Sequence, residues 1–157
     1  MHCYSTYFLQ LLLGVVTVLT YNYTAVDNWS ANIDGASSVF NLHKLYIPTN
    51  KHGVHWLLLR FRMAEKSIKL SDSLGHDKIN EVYLQLAWRY LYNAHNHNDQ
   101  RDQIFEEWIL DWSYSDQSNN SPMQGNGHDC GIFILVSLAF LSNTLVGKEI
   151  QDPHHGI

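Results

Sequence analysis

The stretch HWLLLRFRMAEKSIKLSDS (55–73) contains two strand patterns separated by a short polar turn. The first pattern, HWLLLRFR (55–62), is strongly apolar, which is typical of a central strand buried on both faces. After the turn at MAEKS, apolar and polar residues alternate, which places Ile68, Leu70 and Asp72 on the same face of a second strand. The stretch therefore predicts an antiparallel β-hairpin in the middle of the chain.

Further elements flank this hairpin on both sides. In chain order they are a strand at 39–48 that ends at Pro48, a helix at 78–92, a solvated loop at 93–103, a strand at 106–114, a long loop at 115–129 and a helix at 132–141. The last helix is apolar all round, which predicts that it is buried in the core. Mixed strands and helices around an antiparallel hairpin predict an α+β fold, and not a regular βαβ array.

Composition limits the class of protein. The chain has 157 residues, which suits a single domain covering 1–157. Apolar residues make up 45% and charged residues 16%, which is a globular and not a disordered composition. The net charge of −5 argues against a nucleic-acid-binding protein. Two cysteines cannot form a disulfide framework, which favours a reducing, intracellular compartment.

The apolar run FLQLLLGVVTVL (8–19) allows two interpretations. It is somewhat similar to the core of a signal peptide, but no Lys or Arg precedes it and no clear cleavage site follows it. It is also shorter than the roughly 20 apolar residues that span a bilayer. We therefore predict a buried helix or strand of the core, and no association with a membrane.

Cys130 lies where the loop QGNGHD (124–129) meets the apolar run that follows. Its sulfur would sit at a helix N-terminus, where free backbone N–H groups and the positive end of the dipole stabilise a thiolate. Gly131 would let the backbone of a substrate approach closely. The alternative is a plain buried cysteine, which is the commoner case for a cysteine considered alone.

A nucleophilic thiol needs a base, and the base needs an orienting group. His55 opens the first hairpin strand and Asp72 lies near the end of the second, so one imidazole nitrogen could bond Asp72 while the other faces Cys130. The alternatives are a surface histidine and a turn-forming aspartate in DSLG. Gln124 and the backbone N–H of Cys130 could donate to the oxyanion of a thioester-forming reaction. The alternative for Gln124 is a polar loop residue.

Three sequence blocks carry a resemblance to a known family. They are HW (55–56), DSLG (72–75) and QGNGHDCGIF (124–133). In this order and spacing they resemble the active-site blocks of the SUMO/ubiquitin-like-protein-specific proteases, the ULP/SENP cysteine peptidases. YNYTAVDNW (21–29) and YIPTN (46–50) are similar to other segments of that family. The resemblance runs from about residue 5 to about residue 142.

The resemblance implies a papain-like α+β fold with a central mixed or antiparallel sheet and a buried helix that starts at the catalytic cysteine. It implies a triad of His55, Asp72 and Cys130, with Gln124 completing the oxyanion hole. Trp56 would cover the Gly-Gly tail of a ubiquitin-like modifier in a narrow tunnel. Members of the family begin with a Trp-Leu-x-Asp segment and continue beyond the catalytic helix, so we expect this chain to be a partial catalytic domain.

The resemblance also implies a function. The chain would be a cysteine-type peptidase that cleaves after the C-terminal Gly-Gly of a SUMO-type modifier, in maturation or deconjugation, without a cofactor. It would be a monomer in the nucleus or the cytoplasm.

Two alternatives from other classes remain. A truncated copy of such a protease could bind a modifier without cleaving it. The ten histidines raise the possibility of a metal protein, but their spacing matches no zinc site and no Cys-x-x-Cys occurs, so we predict no metal site.

Overall fold

The computed structural model describes residues 1–13, 21–33, 36–51, 53–99 and 111–143. The described strands are β1 His2–Cys3, β2 Ala31–Ile33, β3 Ala36–Ser38, β4 Lys44–Lys51, β5 His55–Arg62, β6 Ser67–Asp72 and β7 Ser113–Asp116. The described α-helices are α1 Phe8–Leu13, α2 Lys78–Asp99 and α3 Cys130–Asn143. Short 3-10 turns lie at Tyr23–Ala25, Asp27–Ser30, Val39–Asn41 and Ser118–Asn120.

Five of these strands form one mixed sheet in the order β1-β4-β5-β6-β7. β4, β5 and β6 pair in antiparallel fashion, whereas β1 joins β4 and β7 joins β6 in parallel. β2 and β3 form a separate two-stranded antiparallel sheet. The predicted hairpin is confirmed as β5 and β6, and the α+β class is confirmed by the mixed sheet with its helices.

The large sheet has apolar residues packed on both faces, and β5 supplies side chains to each. Leu57 and Leu59 belong to the main core, which also contains Leu84 and Leu91 of α2. Leu58 points the other way and forms a smaller cluster with residues of β4 and α3. The prediction that the first hairpin strand is buried on both faces is therefore confirmed at its centre. The catalytic candidates lie at one end of this strand.

The strand predicted at 39–48 is wrong at both ends. Residues Val39–Asn41 form a 3-10 turn, and β4 runs from Lys44 through Pro48 to Lys51. Pro48 has no backbone N–H to donate to a neighbouring strand. On that side of β4, β1 pairs only with Leu45 and Tyr46, so no described strand lies beside Pro48 that would need a donor. The turn predicted at TNKHG consequently begins later than expected.

The helix predicted at 78–92 extends seven residues further, to Asp99, so the solvated loop predicted from residue 93 is wrong over 93–99. Tertiary contacts explain the extension. Ala94 is fully buried, and Asn93 Nδ2 donates a 2.7 Å hydrogen bond to Tyr21 Oη. These contacts stabilise polar residues in helical conformation although their composition is typical of a loop. Residues 100–103 of that loop lie outside the described residues.

The helix predicted at 132–141 is present and begins at Cys130, as the resemblance implied. The prediction that it is buried is wrong. Ile134 is 8% exposed, but four apolar side chains are largely exposed: Ile132 at 59%, Leu135 at 67%, Val136 at 61% and Phe140 at 69%. α3 packs on β5 through one face, and an apolar composition all round cannot show which faces find a partner.

Two other predictions lie partly outside the described residues. In the apolar run 8–19, α1 covers Phe8–Leu13 with Phe8, Leu9 and Leu12 buried, so the prediction of a core helix or strand is confirmed there. Of the strand predicted at 106–114, residues 106–110 lie outside the described residues. In the rest of that range, the strand β7 begins only at Ser113. In the part of the chain that the structure describes, no helix is both long and apolar enough to cross a membrane.

Candidate active site

The hairpin brings His55 and Asp72 together. His55 is the first residue of β5 and Asp72 the last of β6, in a register that pairs Leu57 with Asp72. His55 Nε2 lies 2.6 Å from Asp72 Oδ1, and both side chains are buried. This geometry leaves Nδ1 as the ring nitrogen available for another partner. The two side chains are thus within hydrogen-bond distance, and the role of Asp72 in orienting a catalytic base stays a prediction.

The turn after β6 fixes the orientation of the Asp72 carboxylate. Asp72 Oδ1 also accepts a 2.9 Å hydrogen bond from the backbone N–H of Leu74, and the backbone N–H of Gly75 donates to Asp72 O at 3.1 Å. Gly75 has a φ of +97°, a conformation that favours glycine, so DSLG is a genuine turn. The two interpretations of Asp72 are therefore compatible, because the residue both forms the turn and bonds His55.

Cys130 occupies the first position of α3 and is 4% exposed. The preceding loop is closed by side-chain hydrogen bonds: Asn126 Oδ1 accepts from the backbone N–H groups of His128 and Asp129 at 3.0 and 3.1 Å. The backbone N–H of Phe133 donates to Asp129 O at 3.0 Å. The thiol thus lies at a defined helix start.

The start of α3 lies against the start of β5. A Cβ placed at Gly131 would lie 4.0 Å from Trp56 Cδ1, so residues that follow Cys130 and His55 are neighbours. Because 4.0 Å is an ordinary contact distance, packing against Trp56 does not itself require glycine at position 131. The role of Gly131 in admitting a substrate backbone stays a prediction.

Gln124 connects the loop before Cys130 to the hairpin. Its backbone N–H donates to Ser73 O at 2.9 Å, and its side-chain Oε1 accepts from Ser73 Oγ at 2.6 Å. Its Nε2 donates to Asn126 O at 2.6 Å, which leaves one further N–H of the amide for another acceptor. Sequence reasoning missed Ser73, although its position directly after Asp72 is a signal that could have found it.

Behind Asp72 lies a second group of residues that sequence reasoning missed. The backbone N–H of Asp72 donates to Ser118 Oγ at 3.0 Å, and Ser118 Oγ in turn donates to Asp116. His76 Nδ1 lies 2.7 Å from Asp116 Oδ2, and Asn80 Nδ2 donates to the same oxygen at 3.1 Å. Burial raises the pKa of Asp116, but hydrogen bonds from Ser118, His76 and Asn80 outweigh it and lower that pKa below its usual value.

Cys3 and Cys130 are both free thiols, Cys3 exposed and Cys130 buried. Within the described ranges, no three His, Cys, Asp or Glu residues are grouped so that they could bind a metal ion.

The sequence is similar to known proteases along nearly its whole length. The profile described as Ulp1 protease family, C-terminal catalytic domain, matches residues 3–155. The chain is 25% identical over 144 residues to ubiquitin-like-specific protease ESD4 of Arabidopsis thaliana, covering 92% of this chain and 27% of that protein. It is 29% identical over 157 residues to sentrin-specific protease 2 of Mus musculus, covering 99% and 23%. The chain thus spans about a quarter of the length of these relatives.

Solved structures show the same fold. The C-terminal Ulp1 protease domain in complex with SMT3, the yeast ortholog of SUMO, superposes with a TM-score of 0.64 at 22% identity, covering 90% of this chain and 57% of that chain. SUMO protease Ulp1 with its catalytic cysteine oxidised to a sulfonic acid gives 0.61 at 22% identity, covering 96% and 61%. The papain-like α+β fold is therefore confirmed, and the chain belongs to the Ulp1 (ULP/SENP) family of cysteine peptidases.

Proposed function

We propose that this chain is the catalytic part of a peptidase or isopeptidase that cleaves after the C-terminal Gly-Gly of a ubiquitin-like modifier such as SUMO. The observation that supports this most directly is the 2.6 Å contact between His55 Nε2 and Asp72 Oδ1. This contact lies at the end of β5. The next residue of that strand, Trp56, lies beside the helix that starts at Cys130. A nucleophile, a base and an orienting group are thus available on rigid elements.

In the proposed reaction, His55 accepts the thiol proton of Cys130 and the sulfur attacks the carbonyl carbon of the terminal glycine. The tetrahedral oxyanion receives hydrogen bonds from the Cys130 backbone N–H and the Gln124 side-chain amide. When the C–N bond breaks, the imidazolium gives its proton to the leaving amine and a thioester remains. His55 then deprotonates a water molecule that attacks the thioester, and breaking the C–S bond restores the thiol.

The proposed substrate is chosen because its tail would fit a narrow passage to Cys130. Trp56 would cover the extended tail of the modifier, and glycines suit such a narrow passage because no side chains need to pass. The relative Ulp1 is solved with SMT3, the yeast ortholog of SUMO, which supports a SUMO-type partner for this chain. We expect maturation, deconjugation or both, in the nucleus or the cytoplasm, by a single domain that acts as a monomer.

Covalent labelling tests the proposal. The 157-residue chain would be incubated with a panel of ubiquitin-like modifiers that carry a C-terminal thiol-reactive warhead. We expect one modifier to form an adduct with the unchanged chain, and Cys130→Ala and His55→Ala to form none. Cys3→Ala is the matched control, because it removes the other free thiol, which is exposed, and should label normally.

The outcomes separate protease from binding protein. Labelling that persists in Cys130→Ala would show that Cys130 is not the nucleophile. A folded chain that binds a modifier reversibly but forms no adduct would contradict the proposed reaction and favour a binding module. The modifier that reacts identifies the substrate class.

A further inference from the structure

One oxygen of the Asp72 carboxylate has no hydrogen-bond partner. Oδ1 is bonded to His55 and Leu74, whereas Oδ2 is buried without a hydrogen bond. The charge that faces it is the ammonium of Lys51, whose Nζ lies 3.6 Å from Oδ2. Asp72 is only 1% exposed, and a buried carboxylate without a compensating cation is costly. Lys51 therefore offsets charge that water cannot reach.

The position of Lys51 is itself fixed. Lys51 pairs with His55 in the β4–β5 register and is 9% exposed. Its ammonium donates to Asp77 Oδ2 at 2.7 Å and to Asn80 Oδ1 at 3.5 Å. The hydrogen bond from Lys51 lowers the pKa of Asp77. A lysine with three such contacts is held in one orientation behind the histidine–aspartate pair.

We propose that Lys51 is a positioning residue for the His55–Asp72 pair, acting through Asp72 and not through contact with substrate. The inference rests on the proposed function, because it assigns His55 the role of base. The cation attracts the Asp72 carboxylate through Oδ2, which keeps Oδ1 aimed at His55 Nε2.

The other charged groups around the pair do not replace this cation. From α2, Asn80 is neutral, and Asp77, which precedes that helix, bonds Lys51 on the side that faces solvent. From β7, Asp116 reaches Asp72 only through Ser118 and is paired with His76. Among the described residues, the charges that face the Asp72 carboxylate are thus His55 on one oxygen and Lys51 on the other.

Removing the cation should loosen the contact between His55 and Asp72. In Lys51→Met, Oδ2 of Asp72 loses the positive charge that faces it, so the carboxylate can turn away from His55 Nε2. His55 is then less well placed to take the thiol proton of Cys130. We expect the rate at which Cys130 is alkylated at neutral pH to fall by about tenfold.

The test measures the rate at which iodoacetamide alkylates Cys130 at neutral pH, in a Cys3→Ser background so that only one thiol reacts. Iodoacetamide needs no modifier-binding surface. Lys51→Met should lower the rate by about tenfold, and Lys51→Arg, which keeps the charge, should restore it. Lys66→Met is the matched control, because Lys66 forms an exposed 2.7 Å ion pair with Asp111 instead. Circular dichroism checks folding, and Lys51→Gln replaces Lys51→Met if the latter does not fold.

An Asp72→Asn background adds a sharper comparison. Without the carboxylate, Lys51 can no longer act on His55 through Asp72, so Lys51→Met should lower the rate no further there. An unchanged rate in Lys51→Met, or a fall equal to that of Lys66→Met, would overturn the inference. Such a result together with normal modifier labelling would leave the proposed function intact. A lowered rate in Lys51→Met that Lys51→Arg restores, without labelling of the unchanged chain by any modifier, would instead contradict the proposed function and support the positioning role.

Discussion

Ser73 and Gln124 show how single residues connect the loop before Cys130 to the hairpin that ends at Asp72. Two hydrogen bonds join them, one through the backbone and one through the side chains. They place the Gln124 amide at the same end of the sheet as His55. The amide oxygen Oε1 accepts the hydrogen bond from Ser73, so the amide nitrogen Nε2 points away from Ser73 as a donor. The loop is therefore attached to the element that carries the proposed base.

This contact predicts a separable effect of Gln124. In Gln124→Ala we expect hydrolysis of a modifier that carries a C-terminal fluorogenic amide to slow by about 10²–10³-fold, because one oxyanion donor is lost. Alkylation of Cys130 by iodoacetamide forms no oxyanion and should keep nearly its normal rate. Gln117→Ala is the matched control for loss of a loop glutamine. Equal slowing of both reactions would show that Gln124 supports the loop and not the oxyanion.

Residue chemistry explains which side chains could be found in advance. His55, Asp72 and Cys130 are the residue types of a thiol nucleophile with its base, and hairpin pairing alone predicts that the first two meet. Lys51 and Ser118 could not be found this way. Lys51 reaches Asp72 across the β4–β5–β6 register, and Ser118 reaches it from a turn 46 residues further along the chain. Those contacts depend on tertiary packing that no local pattern encodes.

At the scale of elements, α3 has two different faces although its composition is apolar throughout. Ile134 packs with Tyr46 and Leu58 of the sheet, whereas Leu135 and Phe140 are more than half exposed. Contacts with the sheet, and not apolar composition, therefore determine which α3 residues contribute to stability.

Two leucine truncations test this difference. Leu58→Ala removes a side chain that is 2% exposed in the cluster beneath α3, and should lower the free energy of unfolding by about 2–5 kcal/mol. Leu135→Ala makes the same chemical change at a position that is 67% exposed, and should change it by less than about 0.5 kcal/mol. Urea unfolding followed by circular dichroism measures both. A large loss in Leu135→Ala would mean that another part of the chain covers this face.

The elements themselves were predictable where periodicity was strong. β5 matches its predicted bounds and β6 differs by one residue at its end, because the alternation and the apolar run leave little choice of register. α2 is longer than its apolar pattern predicts because Asn93 is held by Tyr21, and β4 continues past Pro48, where the sequence pattern predicts its end. Both errors occur where a distant partner outweighs local preference.

At the scale of the whole molecule, the N-terminal segment is joined to α2 through tyrosines. Tyr4 Oη lies 2.8 Å from Tyr90 Oη and also donates to Trp29 O. Phe8 of α1 packs edge-on against Tyr90, with ring centroids 4.7 Å apart. The sequence predicted a core element at 8–19 but not its partner, because contacts between residues 4 and 90 leave no trace in local periodicity.

This buried pair predicts that the fold is sensitive to alkaline pH. Burial raises the pKa of Tyr90 well above its usual value, and burial likewise raises that of Tyr4. A group whose pKa is raised by folding contributes stability that is complete below the unfolded pKa of about 10, and that is lost as pH rises toward the folded value. The free energy of unfolding should therefore fall between pH ~9 and ~11 as the unfolded tyrosines ionise first.

Tyr90→Phe should reduce this fall, because one of the two hydroxyls that resist ionisation is gone. At neutral pH the same change should cost about 1 kcal/mol for the lost hydrogen bond. Urea unfolding at neutral pH and near pH 10.5 measures both effects. Tyr7→Phe is the matched control, since Tyr7 is 64% exposed and should leave the pH dependence unchanged. An identical alkaline loss in Tyr90→Phe and the unchanged chain would show that other groups cause it, and that this contact between the N-terminal segment and α2 does not control stability at high pH.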